Sequence, residues 1–185
     1  MIKTIGHSNH PIEKFLDLLK DGGVQLLVDV RSMPYSRRFP QFSRERLQKS
    51  LADAGIDYRW EGEALGGMAK GVKSYSEAAA RPEFRIALDR IIETSRTTSL
   101  CLMCAEKEPL DCHRTVLVSR RLAERGTAIE HLLADGARRP HANVEEVLLA
   151  RILANSGSGD LFEDRTQQLA RAYEMRERAM KGKAA

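Results

Sequence analysis

Two short and almost uninterrupted apolar runs constrain the fold of this chain most. Residues 24–30 read Val-Gln-Leu-Leu-Val-Asp-Val, and residues 100–104 read Leu-Cys-Leu-Met-Cys. Strands that are covered on both faces have this pattern, and they occur mostly in parallel sheets with helices on each side. Both runs therefore predict central strands of a parallel sheet.

Amphipathic segments alternate with the predicted strands. Ile12, Phe15 and Leu19 have the spacing of one helical face, and Gly22 follows them as a stop signal. Further strands are predicted at residues 3–5, 56–60 and 128–133, and helices at residues 11–21, 43–54, 82–96 and 112–125, the last with Asp111 as N-cap and Gly126 at its end. The alternation predicts a three-layer α/β fold, with a mainly parallel sheet of about five strands and helices on both faces.

The composition changes in the last quarter of the chain. Helices are predicted over residues 144–153 and 165–181, with a flexible break at residues 155–159. We therefore expect an α/β core domain over residues 1–141. Residues 142–185 are expected to form a C-terminal helical extension that packs on the core or on a partner.

Bulk composition points to a soluble globular protein, with 42% hydrophobic and 30% charged residues. No apolar run is long enough for a membrane span, and no signal peptide is recognised at the N-terminus. Three closely spaced cysteines, an odd number, argue against a disulfide framework and predict a cytoplasmic location.

Several short motifs occur in a characteristic order: Thr4-Ile5-Gly6-His7-Ser8, Asp29-Val30-Arg31, Pro40-Gln41-Phe42, Leu65-Gly66-Gly67, Cys104-Ala105-Glu106 with Pro109 and Cys112-His113-Arg114, and His131-Leu132 with Asp135-Gly136. In this order they resemble the bacterial family of domains of unknown function numbered 488, over roughly residues 2 to 141. Asp160-Leu161-Phe162 and Ala172-Tyr173 resemble the tail of its longer members. The resemblance implies a compact α/β domain and no particular activity, so function must be argued from the site.

Polar residues follow three of the predicted strands, and the carboxyl ends of parallel strands share one edge of the sheet. His7, Asp29 and Glu106 come directly after these strands and are the candidate catalytic residues. A carboxylate beside arginines stays ionised near neutral pH and suits general-base chemistry. The alternative is that each carboxylate only orients an arginine, and that His7 caps the following helix.

Six candidate ligand-binding residues surround this edge: Arg31, Arg37, Gln41, Cys112, His113 and Arg114. Arg31, Arg37 and Arg114 are expected to hold a phosphate, while Gln41 and His113 orient the ligand. Residues 31–46 contain five arginines, one glutamate and three aromatic residues, an interleaving typical of surfaces that bind phosphates while bases stack. The alternatives are a solvated loop that is anchored by its aromatic residues, and pairing of Arg114 to an acid inside the fold.

The cysteines allow more than one interpretation, as a reactive thiol, as buried packing residues or as metal ligands. Cys112 lies in the predicted first helical turn, where a thiolate is favoured, but the favoured interpretation is a small buried residue packed under the turn. Cys101, Cys104, Cys112 and His113 resemble a zinc ligand set. We predict no metal and no cofactor. Residues 101 and 104 of a strand point to opposite faces, and the neighbours Cys112 and His113 would diverge on a helix.

Together these features predict an enzyme that acts on a nucleotide or a nucleic acid through an anion-binding pocket, by hydrolytic or glycosyl-transfer chemistry. The expected partner is a phosphate-bearing small molecule or nucleic acid, and no membrane. Two alternatives remain: a non-catalytic nucleic-acid-binding module, and a thiol-based redox protein that uses Cys112 and Cys104.

Overall fold

A six-stranded sheet in the order β3-β2-β4-β1-β5-β6 forms the centre of the computed structural model, which describes residues 1–67, 72–156 and 164–182. All neighbouring strands are parallel except β5 and β6. The strands are β1 (Ile2–Gly6), β2 (Leu26–Asp29), β3 (Asp57–Trp60), β4 (Leu100–Cys104), β5 (Ile129–Leu132) and β6 (Arg138–Pro140).

The helices cover both faces of the sheet, so the predicted three-layer α/β class is confirmed. They are α1 (Ile12–Asp21), α2 (Arg44–Asp53), α3 (Gly62–Leu65), α4 (Tyr75–Ala80), α5 (Pro82–Thr94), α6 (Arg120–Ala123), α7 (His141–Ser156) and α8 (Arg165–Gly182). Short 3₁₀ turns occupy Pro40–Phe42 and Pro109–Asp111, and a π-helical turn, Arg114–Ser119, leads into α6.

Two hydrophobic clusters fill the space between the layers. On one face Phe15 and Leu19 of α1 pack with Leu47 of α2 against β2 and β4. On the other face Leu88 and Ile91 of α5 pack with the helical segment that leads into α6. Alternation along β4 places Cys101 and Met103 in the first cluster, and Leu100, Leu102 and Cys104 in the second.

The sequence missed β6, an edge strand of three residues that pairs antiparallel with β5. Its residues, Arg138, Arg139 and Pro140, carry no apolar pattern. The turn predicted at Asp135-Gly136 is present, with Gly136 at a φ of +89°. Because glycine adopts positive φ readily, this turn reverses the chain and forms the hairpin.

The helix after β4 begins later than predicted. Asp111 closes a 3₁₀ turn instead of capping the helix, and Cys112 has extended backbone before the helical His113. The C-terminal stop is as predicted, since Gly126 adopts a φ of +77°. The predicted N-cap failed because Pro109 favours a separate turn over residues 109–111.

The C-terminal helices pack on the core through a third cluster. Leu148 of α7 and Tyr173 of α8 share it with Leu110 and Val116. Packing on the core is therefore observed, whereas the division into two domains at residue 141 stays a prediction. The break expected at residues 155–159 falls partly within α7, and residues 157–163, with the Asp160-Leu161-Phe162 motif, lie outside the described residues.

A buried chain of hydrogen bonds joins these helices to the sheet. Thr4 Oγ1 lies 2.7 Å from His131 Nδ1, and His131 Nε2 lies 3.0 Å from His141 Nδ1. The Tyr173 hydroxyl lies 3.1 Å from His141 Nε2 and donates to Glu145 Oε1 at 3.0 Å. Within the described residues, no helix has the length and apolar character needed to cross a membrane.

Candidate functional site

The carboxyl ends of β1, β2 and β4 lie side by side in the middle of the sheet. The chain after β1 leads to β2 on one side, and the chain after β4 leads to β5 on the other side. Ligands of open α/β sheets bind where connections diverge in this way. The loops beyond β1 and β4 are in contact there, because His7 N–H donates to the Cys104 carbonyl and Ser8 N–H to the Ala105 carbonyl, both at 2.9 Å.

Cys104, Glu106, Cys112 and His113 form a tight side-chain cluster beyond β4. One sulfur, oxygen or ring nitrogen from each lies within 4.8 Å of the other three. Glu106 Oε2 lies 3.1 Å from Cys104 Sγ and 2.8 Å from Cys112 Sγ, both within hydrogen-bonding distance. Both thiols are buried, His113 is half-buried and Glu106 is exposed. The cluster therefore opens to solvent on its glutamate side.

The backbone at Cys112 explains why its side chain meets that of His113. Cys112 has a φ of −132° and a ψ of 138°, whereas His113 is helical, with a φ of −61° and a ψ of −26°. The prediction that the side chains of Cys112 and His113 diverge is therefore wrong, because only His113 has helical dihedral angles. The prediction for the strand is confirmed, since Cys101 packs on the opposite face of the sheet from Cys104.

Two contacts fix the orientation of the His113 ring. Its Nε2 lies 2.9 Å from the Val30 carbonyl oxygen, and Nδ1 lies 3.5 Å from Cys104 Sγ. Because a carbonyl only accepts, Nε2 carries a hydrogen, and Nδ1 is the nitrogen that faces the cluster. Gly67 lies against the ring, and a Cβ added there would be 2.7 Å from His113 Cβ.

The pKa values of the four groups in the cluster shift in different directions. Burial alone would raise the pKa of the Cys112 thiol, but the hydrogen bond from Cys104 and the positive charges of Arg114 and His113 hold it well below its ordinary value. Burial and the nearby Cys112 raise the pKa of Cys104. Burial, followed by the charge on Cys112, also raises the pKa of Glu106. Burial opposes protonation of His113, but its contact with Cys112 raises the pKa of the ring.

Arg114 lies inside the fold beneath this cluster, with 1% of its surface exposed. Its guanidinium donates to the Glu106 carbonyl at 2.6 Å and to the Lys107 carbonyl at 3.2 Å. Its backbone N–H donates to Cys112 Sγ at 3.4 Å. The sequence predicts that Arg114 binds a phosphate directly. In the structure its two terminal nitrogens instead bind main-chain oxygens and hold the loop after β4 in place.

Asp29 and Arg31 form a buried ion pair at the end of β2. Arg31 Nη2 donates to Asp29 Oδ2 at 2.6 Å, and Arg31 Nε donates to Asp29 Oδ1 at 2.9 Å. The Tyr58 hydroxyl donates to the same Asp29 Oδ2 at 2.9 Å. Burial, and then the nearby Asp29 charge, raise the pKa of Tyr58. Arg31 Nη2 also donates to the Phe42 carbonyl at 2.9 Å, which ties down the following loop.

His7 belongs to the same buried network. Its ring stacks on Phe42 with centroids 4.3 Å apart, and its Nε2 lies 3.2 Å from Arg31 Nη1. Burial and the Arg31 charge lower the pKa of His7 to about 4. Asp29 is 0% exposed and His7 3% exposed. Of the three predicted catalytic side chains, only Glu106 therefore faces solvent, and the alternative that Asp29 orients an arginine matches the structure.

The loop after β2 leaves this network and extends to the surface. Arg37 is exposed, whereas the Gln41 amide donates to the His10 carbonyl at 3.1 Å and serves to attach the loop. A surface cavity of about 530 Å³ is lined by Pro34, Tyr35, Ser36, Pro40, Ser43, Arg44, Glu45 and Arg46.

Sequence reasoning missed several residues that build the site. The Tyr58 hydroxyl of the edge strand β3 binds Asp29, and the carbonyl of Val30, directly after β2, binds His113. Gly67 carried a usable signal, since a glycine pair beside polar motifs indicates close backbone approach. No sequence pattern reports the carbonyl of Val30.

Comparisons with known proteins give one finding. A family model described as "Domain of unknown function DUF488" matches residues 11–121, which is more than half of the chain. No curated protein and no solved structure matches the chain.

Proposed function

The chain belongs to the DUF488 family, whose description names no activity, and we propose from the site's own geometry that it is an enzyme acting on a nucleotide or nucleic acid. The observation that carries this proposal is a juxtaposition. The exposed carboxylate of Glu106 and the basic, aromatic loop that leaves β2 belong to the same edge of the sheet.

The loop supplies the surface that would hold the phosphates and bases. Tyr35 is 64% exposed and lines the cavity together with Arg44 and Arg46. Arg37 and Arg38 are exposed on the same segment. Guanidinium groups bind phosphate oxygens, and an exposed aromatic ring offers a face on which a base stacks. This chemistry favours a single-stranded nucleic acid or a nucleotide over an uncharged ligand.

The catalytic group of the proposed reaction is Glu106. It is a solvent-facing carboxylate of the edge, and its main chain is fixed by Arg114. A positioned carboxylate can take a proton from an attacking water or give one to a leaving group, as hydrolysis or glycosyl transfer requires. Asp29, Arg31 and His7 form the buried support that holds the loop and the strand ends in register.

Binding by the loop can be tested with fluorescently labelled single-stranded RNA and DNA oligonucleotides. We expect Arg37→Ala/Arg38→Ala to weaken binding and to reduce the slope of log affinity against log salt by about two, one for each lost phosphate contact. Arg96→Ala is the matched control, because Arg96 is an exposed arginine before β4, near the amino edge of the sheet. Equal loss in both variants, or no binding by the wild-type protein, would contradict the proposal.

Catalysis is tested separately on the oligonucleotides and on mononucleotides. We expect Glu106→Gln to lower kcat by about 10²- to 10⁴-fold, the usual contribution of a positioned acid or base, with oligonucleotide affinity unchanged. Because glutamine keeps a side-chain oxygen that can accept from the two thiols, Glu106→Gln should change the thermal unfolding of the protein little.

A non-catalytic binding module is the second candidate, and the exposure of the loop alone supports it. It predicts salt-dependent binding that survives Glu106→Gln and no turnover of any oligonucleotide or nucleotide. Turnover that is lost in Glu106→Gln with binding intact would exclude this second candidate.

A further inference from the structure

We propose that Cys104, Glu106, Cys112 and His113 bind one Zn²⁺ ion. The inference rests on the geometry of the four side chains, and although it shares Glu106 with the proposed reaction, Zn²⁺ affinity tests it without any turnover. Two sulfurs, one imidazole nitrogen and one carboxylate oxygen are all preferred ligands of zinc. Their atoms lie within 4.8 Å of one another.

Of three distances between these atoms, one equals an edge of a zinc coordination tetrahedron and two are shorter by less than about 1 Å. Zn–S bonds of about 2.3 Å and Zn–N or Zn–O bonds of about 2.0–2.1 Å place tetrahedral ligand atoms roughly 3.3–3.8 Å apart. Cys104 Sγ lies 3.5 Å from His113 Nδ1 and 3.1 Å from Glu106 Oε2. Cys112 Sγ lies 2.8 Å from Glu106 Oε2, so the exposed glutamate has to move outward by less than about 1 Å to admit the ion.

His113 is oriented as a metal ligand by its second nitrogen. Nε2–H donates to the Val30 carbonyl at 2.9 Å, which leaves Nδ1 to coordinate. Metal-binding histidines nearly always have such a hydrogen bond from the nitrogen that does not bind the ion. Val30 directly follows β2, whereas Cys104 ends the neighbouring strand β4, so the ring is held from a second strand end.

The surrounding charges suit a dication in this cluster. Two thiolates and one carboxylate carry a charge of −3, and Zn²⁺ with a neutral His113 reduces it to −1. The buried guanidinium of Arg114 compensates the remainder, and the Arg114 backbone N–H donates to Cys112 Sγ at 3.4 Å. Binding is a ligand exchange without electron transfer. Each thiol loses its proton to solvent as its sulfur forms a bond to Zn²⁺.

The site has one open side. Cys104, Cys112 and His113 are buried or half-buried, whereas Glu106 is exposed and approaches from the solvent side. Three inner ligands with one exchangeable outer ligand are typical of zinc sites at which a water can enter. Glu106 is therefore the ligand expected to contribute least to affinity.

The test is a Zn²⁺ titration of the full chain, reduced and stripped with a chelator, in competition with a chromophoric chelator. We expect one ion per chain, and Co²⁺ in its place should give thiolate-to-cobalt charge-transfer and tetrahedral d–d absorption bands. Cys112→Ser and Cys104→Ser should lower Zn²⁺ affinity by at least about 100-fold and weaken the charge-transfer band. Glu106→Ala should lower affinity less and shift the d–d bands.

Cys101→Ser is the matched control, because Cys101 lies on the same strand but packs on the opposite face. It should bind Zn²⁺ as the wild type does. Where Cys112→Ser does not fold, the shift of the Co²⁺ d–d bands in Glu106→Ala still tests the site, because this side chain is exposed. Wild-type affinity no higher than that of Cys112→Ser, an equal loss in Cys101→Ser, or Co²⁺ spectra without thiolate bands would overturn the proposal. A Cys104–Cys112 disulfide that forms equally fast with and without Zn²⁺ would overturn it as well.

Discussion

Arg31 and Arg114 both carry a guanidinium into the interior, but they bind different partners. Arg31 is neutralised by the carboxylate of Asp29, whereas Arg114 binds the carbonyls of Glu106 and Lys107. A charge that is paired with a carboxylate becomes very costly when that carboxylate is lost. The two arginines therefore differ in which substitutions they tolerate nearby.

Asp29→Asn tests this difference directly. The variant keeps the shape of the side chain but leaves Arg31 buried without a counter-charge, so we expect unfolding to require about 3–5 kcal/mol less free energy. Tyr58→Phe is the control, because it removes one hydrogen bond to the same carboxylate and should cost only about 1 kcal/mol. Urea unfolding measures both. If Asp29→Asn instead lost activity with unchanged stability, Asp29 would have a catalytic role.

At the scale of secondary-structure elements, the contact between β1 and the loop after β4 depends on one glycine. A Cβ added at Gly6 would lie 1.9 Å from the Glu106 carbonyl oxygen, which is a backbone atom already held by Arg114. We expect Gly6→Ala to destabilise the protein by about 1–3 kcal/mol or more and to displace Glu106. Gly182→Ala is the control, since nothing lies within 4 Å of its added Cβ. Thermal unfolding of the two variants measures the difference.

The histidine pair between β5 and α7 makes stability depend on pH. Burial lowers the pKa of His141 to about 4, and burial with the neighbouring ring lowers the pKa of His131 well below its ordinary 6.5. The unfolded chain therefore binds protons that the folded protein excludes, so stability is complete above about pH 6.5 and falls as the pH drops towards 4. Each histidine contributes a slope of up to about 1.4 kcal/mol per pH unit in this range.

Urea unfolding across this pH range measures the effect. His141→Gln should flatten the curve between pH 6.5 and 4, because one buried group no longer has to stay neutral. Tyr173→Phe is the comparison, since it removes the hydroxyl bound to His141 without changing the number of histidines. A slope that stays the same in His141→Gln would assign the acid sensitivity to other groups.

Elements with a strong apolar pattern could be predicted from the sequence, whereas side-chain geometry at the site could not. The strands that contain Leu27 and Leu102 were identifiable because both of their faces are covered by helices. The edge strand β6 was not, since it buries little and reads Arg-Arg-Pro. The meeting of Cys112 and His113 depends on one extended residue after a 3₁₀ turn. Arg114 could be recognised as important, but its partners, the carbonyls of Glu106 and Lys107, could not be predicted because every residue has a carbonyl.

At the scale of the whole molecule, α8 and β3 lie in different parts of the fold, and each carries a useful probe. Trp60 of β3 is the single tryptophan, and Tyr173 of α8 is buried in the third hydrophobic cluster. If residues 1–141 and the C-terminal helices unfold as one unit, Trp60 fluorescence should report the loss caused by Tyr173→Ala. The free energy of unfolding in urea should then fall by about 3–5 kcal/mol.

Tyr35→Ala removes the same kind of side chain from a position that is 64% exposed, and it should change stability by less than about 0.5 kcal/mol. Far-UV circular dichroism provides the second readout. Coincident shifts in both signals indicate one cooperative unit. A loss of helical signal that precedes an unshifted Trp60 transition would indicate that residues 142–185 form a separate domain.

The two edges of the sheet have different consequences for self-association. The hairpin to β6 covers the outer side of β5, whereas β3 ends the sheet on the other side, with four residues and an exposed Asp57. Short, charged edge strands resist pairing with the edges of other chains. Within the described residues, the short length of β3 and the charge of Asp57 therefore disfavour edge-to-edge pairing with other chains, and an apolar replacement at Asp57 would weaken this effect.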